Sequence, residues 1–108
     1  MKTHMEKSNE HTIVEVFGRL DTVTAGDFET KLLPLIEAGS KVVIDCTGLD
    51  YISSSGLRIF LLAQKKAQAE GGQLKLCSLQ PSIMEIFTIA GFSNIFALFP
   101  DQESACRK

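Results

Sequence analysis

The 108-residue sequence lacks the features that mark membrane, secreted and nucleic-acid-binding proteins. No apolar run reaches the ~18 residues that suggest a membrane span, so membrane insertion is not expected. Residues 1–10 contain charged and polar groups where a signal peptide needs a continuous apolar core, and the expected location is the cytoplasm. A formal net charge of −2 provides no general attraction to nucleic acid, and direct nucleic-acid binding is not expected.

A pattern for disulfide bonds or bound zinc is also absent. The three cysteines are widely spaced, odd in number and without a C-x-x-C pair, which predicts reduced thiols. Cys46 and Cys77 lie near the ends of apolar strand-like runs and are expected in the core, whereas Cys106 lies in a polar tail and is a candidate for an exposed thiol. His4 and His11 lack ligand spacing to each other or to a cysteine.

The serine-rich segment Ile52-Ser53-Ser54-Ser55-Gly56 lacks the motifs of a catalytic elbow and of a nucleotide-binding loop. A serine nucleophile on such an elbow needs G-x-S-x-G, but the residue two before either candidate serine is not glycine. Both histidines lie near the polar amino terminus, away from the position that a catalytic base requires. A P-loop is absent as well. A serine hydrolase is therefore disfavoured, and no bound nucleotide is expected.

Hydrophobic periodicity predicts one α/β domain with the order β-β-α-β-α-β-α-β-α. Strands are predicted over 2–7, 12–17, 41–46, 73–79 and 95–99, and helices over about 25–38, 57–70, 83–90 and 101–105. A mixed sheet of four or five strands with about four helices is expected. Asp21, Thr22 and Thr24 are candidate caps of the first helix, and Pro34 is expected to bend it because proline lacks an N–H donor.

The three consecutive serines lie at the junction between the most strand-like run and the longest helix-like run. This junction is predicted at the carboxyl edge of the sheet, where α/β proteins hold functional sites. A hydroxyl before a helix can accept a hydrogen bond from a free backbone N–H, and the helix end favours negative charge. Capping alone and a covalent phosphate on one serine both fit this pattern.

The first turns of the following helix are apolar nearly all round. Leu57 or Leu62 on the outer face would form part of a partner surface, whereas a well-buried helix would have no such role. Both interpretations remain open at this point.

Two motifs resemble the STAS domain family, specifically the stand-alone bacterial anti-sigma factor antagonists. Gly18-Arg19-Leu20-Asp21 resembles the G-x-[IL]-D of the family after its second strand. The segment from Asp50 to Arg58, DYISSSGLR, resembles the D-x-[DS]-S-[STA]-G-L that opens the second helix. The resemblance covers essentially the whole chain and implies a single STAS domain over residues 1–108.

The resemblance also implies roles for individual residues. Ser54, two positions before the motif glycine, matches the phosphoacceptor, with Ser55 as an alternative acceptor or a cap. Asp21 matches an acidic residue that faces the phosphorylation site, although a helix cap or a turn residue fits it equally well. Ser53 stands where many members have aspartate, so a negative charge is missing. The implied partner-binding surface consists of Asp21, Thr22, Ser53, Ser54, Ser55, Gly56, Leu57, Arg58 and Leu62.

The mechanism that the resemblance implies is partner switching by a non-enzymatic protein. The unphosphorylated form is expected to bind an anti-sigma factor that is also a serine kinase, which releases the sigma factor. Phosphorylation would end this binding, a serine phosphatase would restore it, and no cofactor is needed. An alternative client is a different assembly, in phospholipid transport or stress signalling. No feature of the sequence demands self-association.

Overall fold

The structure is a computed structural model that describes residues 1–107, in which five strands form one mixed sheet in the order β1-β2-β3-β4-β5. The strands are β1 (Lys2–Ser8), β2 (His11–Leu20), β3 (Lys41–Ile52), β4 (Gln73–Cys77) and β5 (Ala97–Phe99). Strand β1 is antiparallel to β2, whereas the other neighbouring pairs are parallel. Strands β1 and β2 form a hairpin, with Asn9 and Glu10 both at positive φ in its turn.

Within residues 1–107, four α-helices complete the fold and confirm the predicted α/β class and element order. They are α1 (Ala25–Leu32), α2 (Ser54–Glu70), α3 (Pro81–Ile89) and α4 (Gln102–Ala105). Short 3₁₀ turns follow α1 at Leu33–Leu35 and α3 at Phe92–Asn94. No helix of residues 1–107 is long and apolar enough to span a membrane.

The two predicted boundaries that differ most from the structure do so for identifiable physical reasons. The first helix was expected to reach residue 38, but the α-helix ends at Leu32 and continues only as a 3₁₀ turn that contains Pro34. The central strand was expected to end at Cys46, but it continues to Ile52. Residues 47–52 do not continue the apolar run that predicted the strand. They pair with β2 through two register shifts, which the local sequence does not indicate.

The main core lies on one face of the sheet, beneath α1, α2 and α3. Phe60 of α2 is at its centre, with ring centroids 5.7 Å from Phe28 and 5.6 Å from Phe87. A smaller cluster occupies the opposite face, since its strand residues alternate with those of the main core. This second cluster contains Ile13, Val43, Cys77, Ala105 and Cys106.

Helix α4 seals the second cluster, so the expectation of an exposed Cys106 is wrong. The side-chain amide of Asn9 donates to the Cys106 carbonyl (2.9 Å), and the Lys75 ammonium donates to the Ala105 carbonyl (2.9 Å). These bonds hold the end of the described chain against the sheet, and Cys106 is 6% exposed. All three cysteines are free, as predicted, and Cys46 and Cys77 are buried in the core.

Burial makes these thiols poor nucleophiles, which yields a first testable prediction. Desolvation raises the pKa of the Cys77 thiol to about 11 and raises the pKa of Cys46 well above its ordinary value. The reactive thiolate forms only as the pH rises through the raised pKa. In the native protein at neutral pH we therefore expect Cys46 and Cys77 to resist a chromogenic disulfide reagent. Rapid release of chromophore from every thiol without denaturant would contradict this burial, and unfolding in guanidinium should release all of them.

Candidate functional site

Two chain segments meet at the carboxyl edge of the sheet, at the ends of the neighbouring strands β2 and β3. Leu20 pairs with Ile52, so the residues that follow each strand emerge side by side. The backbone N–H of Ser53 donates to the carbonyl of Leu20 (2.9 Å), which joins the two segments directly. The turn after β2 and the start of α2 are thereby held together, as the predicted site requires.

Ser53 is the residue that caps α2. Its backbone is extended, and its Oγ accepts a hydrogen bond from the backbone N–H of Gly56 (3.3 Å). The helix therefore begins at Ser54, three residues earlier than the predicted start at Leu57. The prediction of a serine cap is confirmed, but Ser53 takes this role rather than Ser55.

The other two serines differ in their accessibility. Ser55 is half-buried, and its Oγ lies 3.4 Å from Oγ1 of Thr22, close enough for a hydrogen bond. Ser54 is exposed in the first turn of the helix, and its hydroxyl has no recorded hydrogen-bond partner among residues 1–107. The positive end of the helix dipole favours a negative group at this position. Ser54 is consequently the accessible hydroxyl of the three.

The turn after β2 uses the Asp21 carboxylate for its own hydrogen bonds. This carboxylate accepts from the backbone N–H groups of Val23 (3.0 Å) and Thr24 (3.2 Å), and Thr24 Oγ1 accepts from the Asp21 N–H (2.9 Å). The hydrogen bond from the Thr24 backbone is the main cause that lowers the pKa of the Asp21 carboxyl. The turn interpretation of Asp21 therefore holds, and Thr22 makes the recorded side-chain contact with the serines.

Arg19 and Tyr51 form a contact beside this turn that the sequence did not indicate. They are register partners in β2 and β3, and the Arg19 guanidinium carbon lies 4.1 Å from the centre of the Tyr51 ring. Nε of Arg19 is also 3.8 Å from the carboxylate of Asp21. The register shifts beside these residues bring them together, which explains why strand periodicity did not predict the contact.

The most exposed apolar residue near the site lies outside α2. Leu57 and Leu62 are half-buried and pack against the main core, which favours the buried-helix alternative for this part of α2. Instead, Val23 beside Thr22 is 88% exposed, and Tyr51 is 39% exposed. An apolar residue between two threonines carries no periodic signal, and only its exposure in the folded turn marks it.

Gly56 allows α2 to lie close to the ends of β2 and β3. The residue is buried, and a Cβ atom added to it would come within 2.8 Å of Leu20 Cγ and 2.9 Å of Ile52 Cγ1. This glycine therefore permits a close approach of the helix backbone to both strands. The close approach also sets the height of the first turn of α2 above the sheet edge.

The potential metal ligands of the described chain lie elsewhere. Among residues 1–107, His4, Glu6 and Glu15 bring their ligand atoms within 4.8 Å of one another on the β1–β2 hairpin. His11 is buried at the amino-terminal end of β2, with Nδ1 2.9 Å from the Asn9 carbonyl oxygen. The serine site therefore has neither a histidine nor a metal-ligand cluster beside it.

Comparisons with known proteins bear on the family and the fold of the chain. A family model described as STAS domain matches residues 2–105. The chain is 38% identical over 106 residues to BtrV of Bordetella bronchiseptica, named as a candidate anti-sigma factor antagonist, covering 97% of this chain and 91% of that protein. It is 33% identical over 98 residues to the anti-sigma-B factor antagonist of Bacillus subtilis, covering 90% of each. A solved STAS domain protein from Planctomyces limnophilus, described as an anti-sigma-factor antagonist, has a TM-score of 0.88 at 18% identity, covering 96% and 94% of the two chains.

The close packing at Gly56 yields a second prediction. Gly56→Ala should lower the free energy of unfolding by roughly 1–3 kcal/mol because the new methyl group must displace Leu20 or Ile52. Gly26→Ala is the matched control, since Gly26 lies in α1 with no atom within 4 Å of an added Cβ. It should raise stability by roughly 0.4–1 kcal/mol. Urea unfolding measures both, and equal stability of the two variants would contradict the close approach.

Proposed function

The chain belongs to the STAS domain family, and we propose that it acts as an anti-sigma factor antagonist within that family. Two relatives that align with at least 90% of the chain carry this description. The observation that carries the proposal is the exposed Ser54 hydroxyl in the first turn of α2, at the sheet edge that also holds the turn with the exposed Val23. A modifiable group and an exposed apolar residue thus lie on segments that contact each other through Ser55 and Thr22.

In the proposed mechanism, the unphosphorylated protein binds an anti-sigma factor that is also a serine kinase, and the sigma factor is released. The binding site is the docking surface, which we define as a set of seven exposed or half-buried residues at this sheet edge. It consists of Asp21, Thr22, Val23, Tyr51, Ser54, Ser55 and Arg58. Val23 supplies the apolar anchor, and the surrounding hydroxyl and charged groups supply hydrogen bonds at the rim.

Ser54 is the proposed phosphoacceptor. The γ-phosphoryl group of ATP is transferred to Oγ of Ser54, ADP leaves, and the hydroxyl proton passes to a base of the kinase. The modification adds about −1.5 to −2 charges at neutral pH. Because Ser54 is exposed and at the positive end of a helix dipole, the fold should accept the phosphate without rearrangement.

The same phosphate should disrupt the complex. Ser54 lies inside the docking surface, so binding would have to remove the phosphate from water against a partner surface that fits the uncharged hydroxyl. The Asp21 carboxylate, whose lowered pKa keeps it ionised at neutral pH, adds negative charge beside the acceptor segment. A serine phosphatase would restore binding by removing the phosphate.

The proposed role is that of a cytoplasmic binding protein rather than an enzyme. His11 lies at the start of β2, whereas Ser54 follows the end of the parallel strand β3, so the two are at opposite edges of the sheet. His4 lies on the edge strand β1, which pairs only with β2. Ser54 therefore has no imidazole base within the described chain, and the kinase supplies the chemistry of transfer.

The acceptor assignment is tested by phosphorylation of variants with the cognate anti-sigma factor kinase. We expect Ser54→Ala to abolish incorporation of phosphate, and Ser55→Ala, the matched control one residue along, to retain it. Peptide mass spectrometry locates the phosphate. Phosphate on Ser54→Ala at the wild-type level would show that the acceptor is a different residue. The phosphorylated wild type should bind the kinase on the order of 10²-fold more weakly than the unmodified protein.

The apolar anchor is tested by calorimetric titration with the same partner. Val23→Ala should weaken binding by roughly tenfold, since truncation of an anchor costs more than about 1 kcal/mol. Ile89→Ala is the matched control, because Ile89 is 79% exposed at the far end of α3 and lies outside the docking surface. Equal effects of the two substitutions would contradict the docking surface. A protein that is phosphorylated normally but binds only components of another assembly would point to a different client.

A further inference from the structure

Ser54 and Arg58 lie four residues apart on α2, and both are exposed. Residues with this spacing are neighbours on one face of a helix. Helical side chains also tilt toward the amino terminus of the helix, so a long side chain covers the turn that precedes its own Cα. The Arg58 side chain can therefore extend over the first turn of α2, where Ser54 presents its hydroxyl to solvent.

Arg58 is the uncommitted cation of this region. No hydrogen bond or ion pair involves its side chain within residues 1–107, whereas Arg19 is engaged by the Asp21 carboxylate and the Tyr51 ring. Further along α2, the Lys66 ammonium donates to the Leu33 carbonyl (2.7 Å) and pairs with a glutamate. Arg58 is thus available to an anionic group that appears at Ser54.

We propose that Arg58 binds the phosphate of phosphorylated Ser54 and forms an intrahelical clamp. The inference rests on the proposed phosphorylation of Ser54. The guanidinium can donate two parallel hydrogen bonds to phosphate oxygens, a geometry that a lysine ammonium does not offer. The arrangement places the anion on the amino-terminal side and the cation four residues later, which is the favourable orientation of such a pair in the helix dipole.

The clamp changes the docking surface in two ways at once. Phosphorylation adds negative charge at Ser54, and the clamp withdraws the positive charge of Arg58 from any acidic group of the partner. The modified state is also held in one conformation, because the phosphate is tied to the helix surface. A single modification thereby removes an attractive group and introduces a repulsive one.

The test compares the thermal unfolding of four proteins. The wild type and the Arg58→Gln variant are each prepared unmodified and with phosphoserine installed at position 54 during translation. At low ionic strength, phosphorylation should raise the melting temperature by roughly 2–4 °C more with Arg58 than with Arg58→Gln. Added salt should remove this difference. Lys65→Gln is the matched control, since Lys65 is an exposed cation on α2 two turns beyond Arg58, and it should leave the phosphorylation effect unchanged.

A second measurement reports on the side chain itself. The Nε–Hε resonance of Arg58 should shift on phosphorylation in an NMR spectrum, and that of Arg107, which pairs with Glu103, should not. An equal melting shift in wild type and Arg58→Gln, with an unmoved Arg58 resonance, would overturn the clamp. Because phosphoserine is installed without a kinase, this failure would leave the acceptor and partner assignments standing. If the acceptor or the partner is assigned wrongly, the kinase and binding assays will show it independently of the clamp.

Discussion

The close approach of α2 to the ends of β2 and β3 is the constraint on which the site depends. Gly56 has no side chain to hold the helix away from Leu20 and Ile52, and the Ser53 N–H donates to the Leu20 carbonyl. These contacts fix where the helix begins. Ser53 is therefore the N-cap residue that precedes the helix, and Ser54 faces solvent in the first turn.

In this arrangement the three adjacent serines have different structural and regulatory roles. Ser53 stabilises α2 through its cap, and Ser55 adjoins the turn after β2 through Thr22. Ser54 has no recorded structural bond in the described chain, so its modification need not remove a native contact. The fold can then stay constant while the charge of the surface changes, which is what a switch based on partner choice requires.

Local signals predicted much of the fold, and two of their failures share a cause. The end of α2 followed from a glycine, since Gly71 adopts the left-handed conformation that closes the helix. The extension of β3 to Ile52 and the burial of Cys106 were both missed. Each depends on contacts with residues distant in the chain. Strand β3 extends because it pairs with β2 in a shifted register, and Cys106 is buried because it packs against the second face of the sheet.

The sequence by itself determined the order of the elements and the presence of a serine-rich junction at the carboxyl edge of the sheet. These follow from periodicity, turn residues and capping chemistry, which act over a few neighbouring residues. Tertiary packing was needed to show which serine is the cap and which is exposed, and which apolar residue faces solvent at the same sheet edge. Those outcomes depend on the packing of α2 and of the turn after β2 against each other, because burial is a property of contacts between segments far apart in the chain.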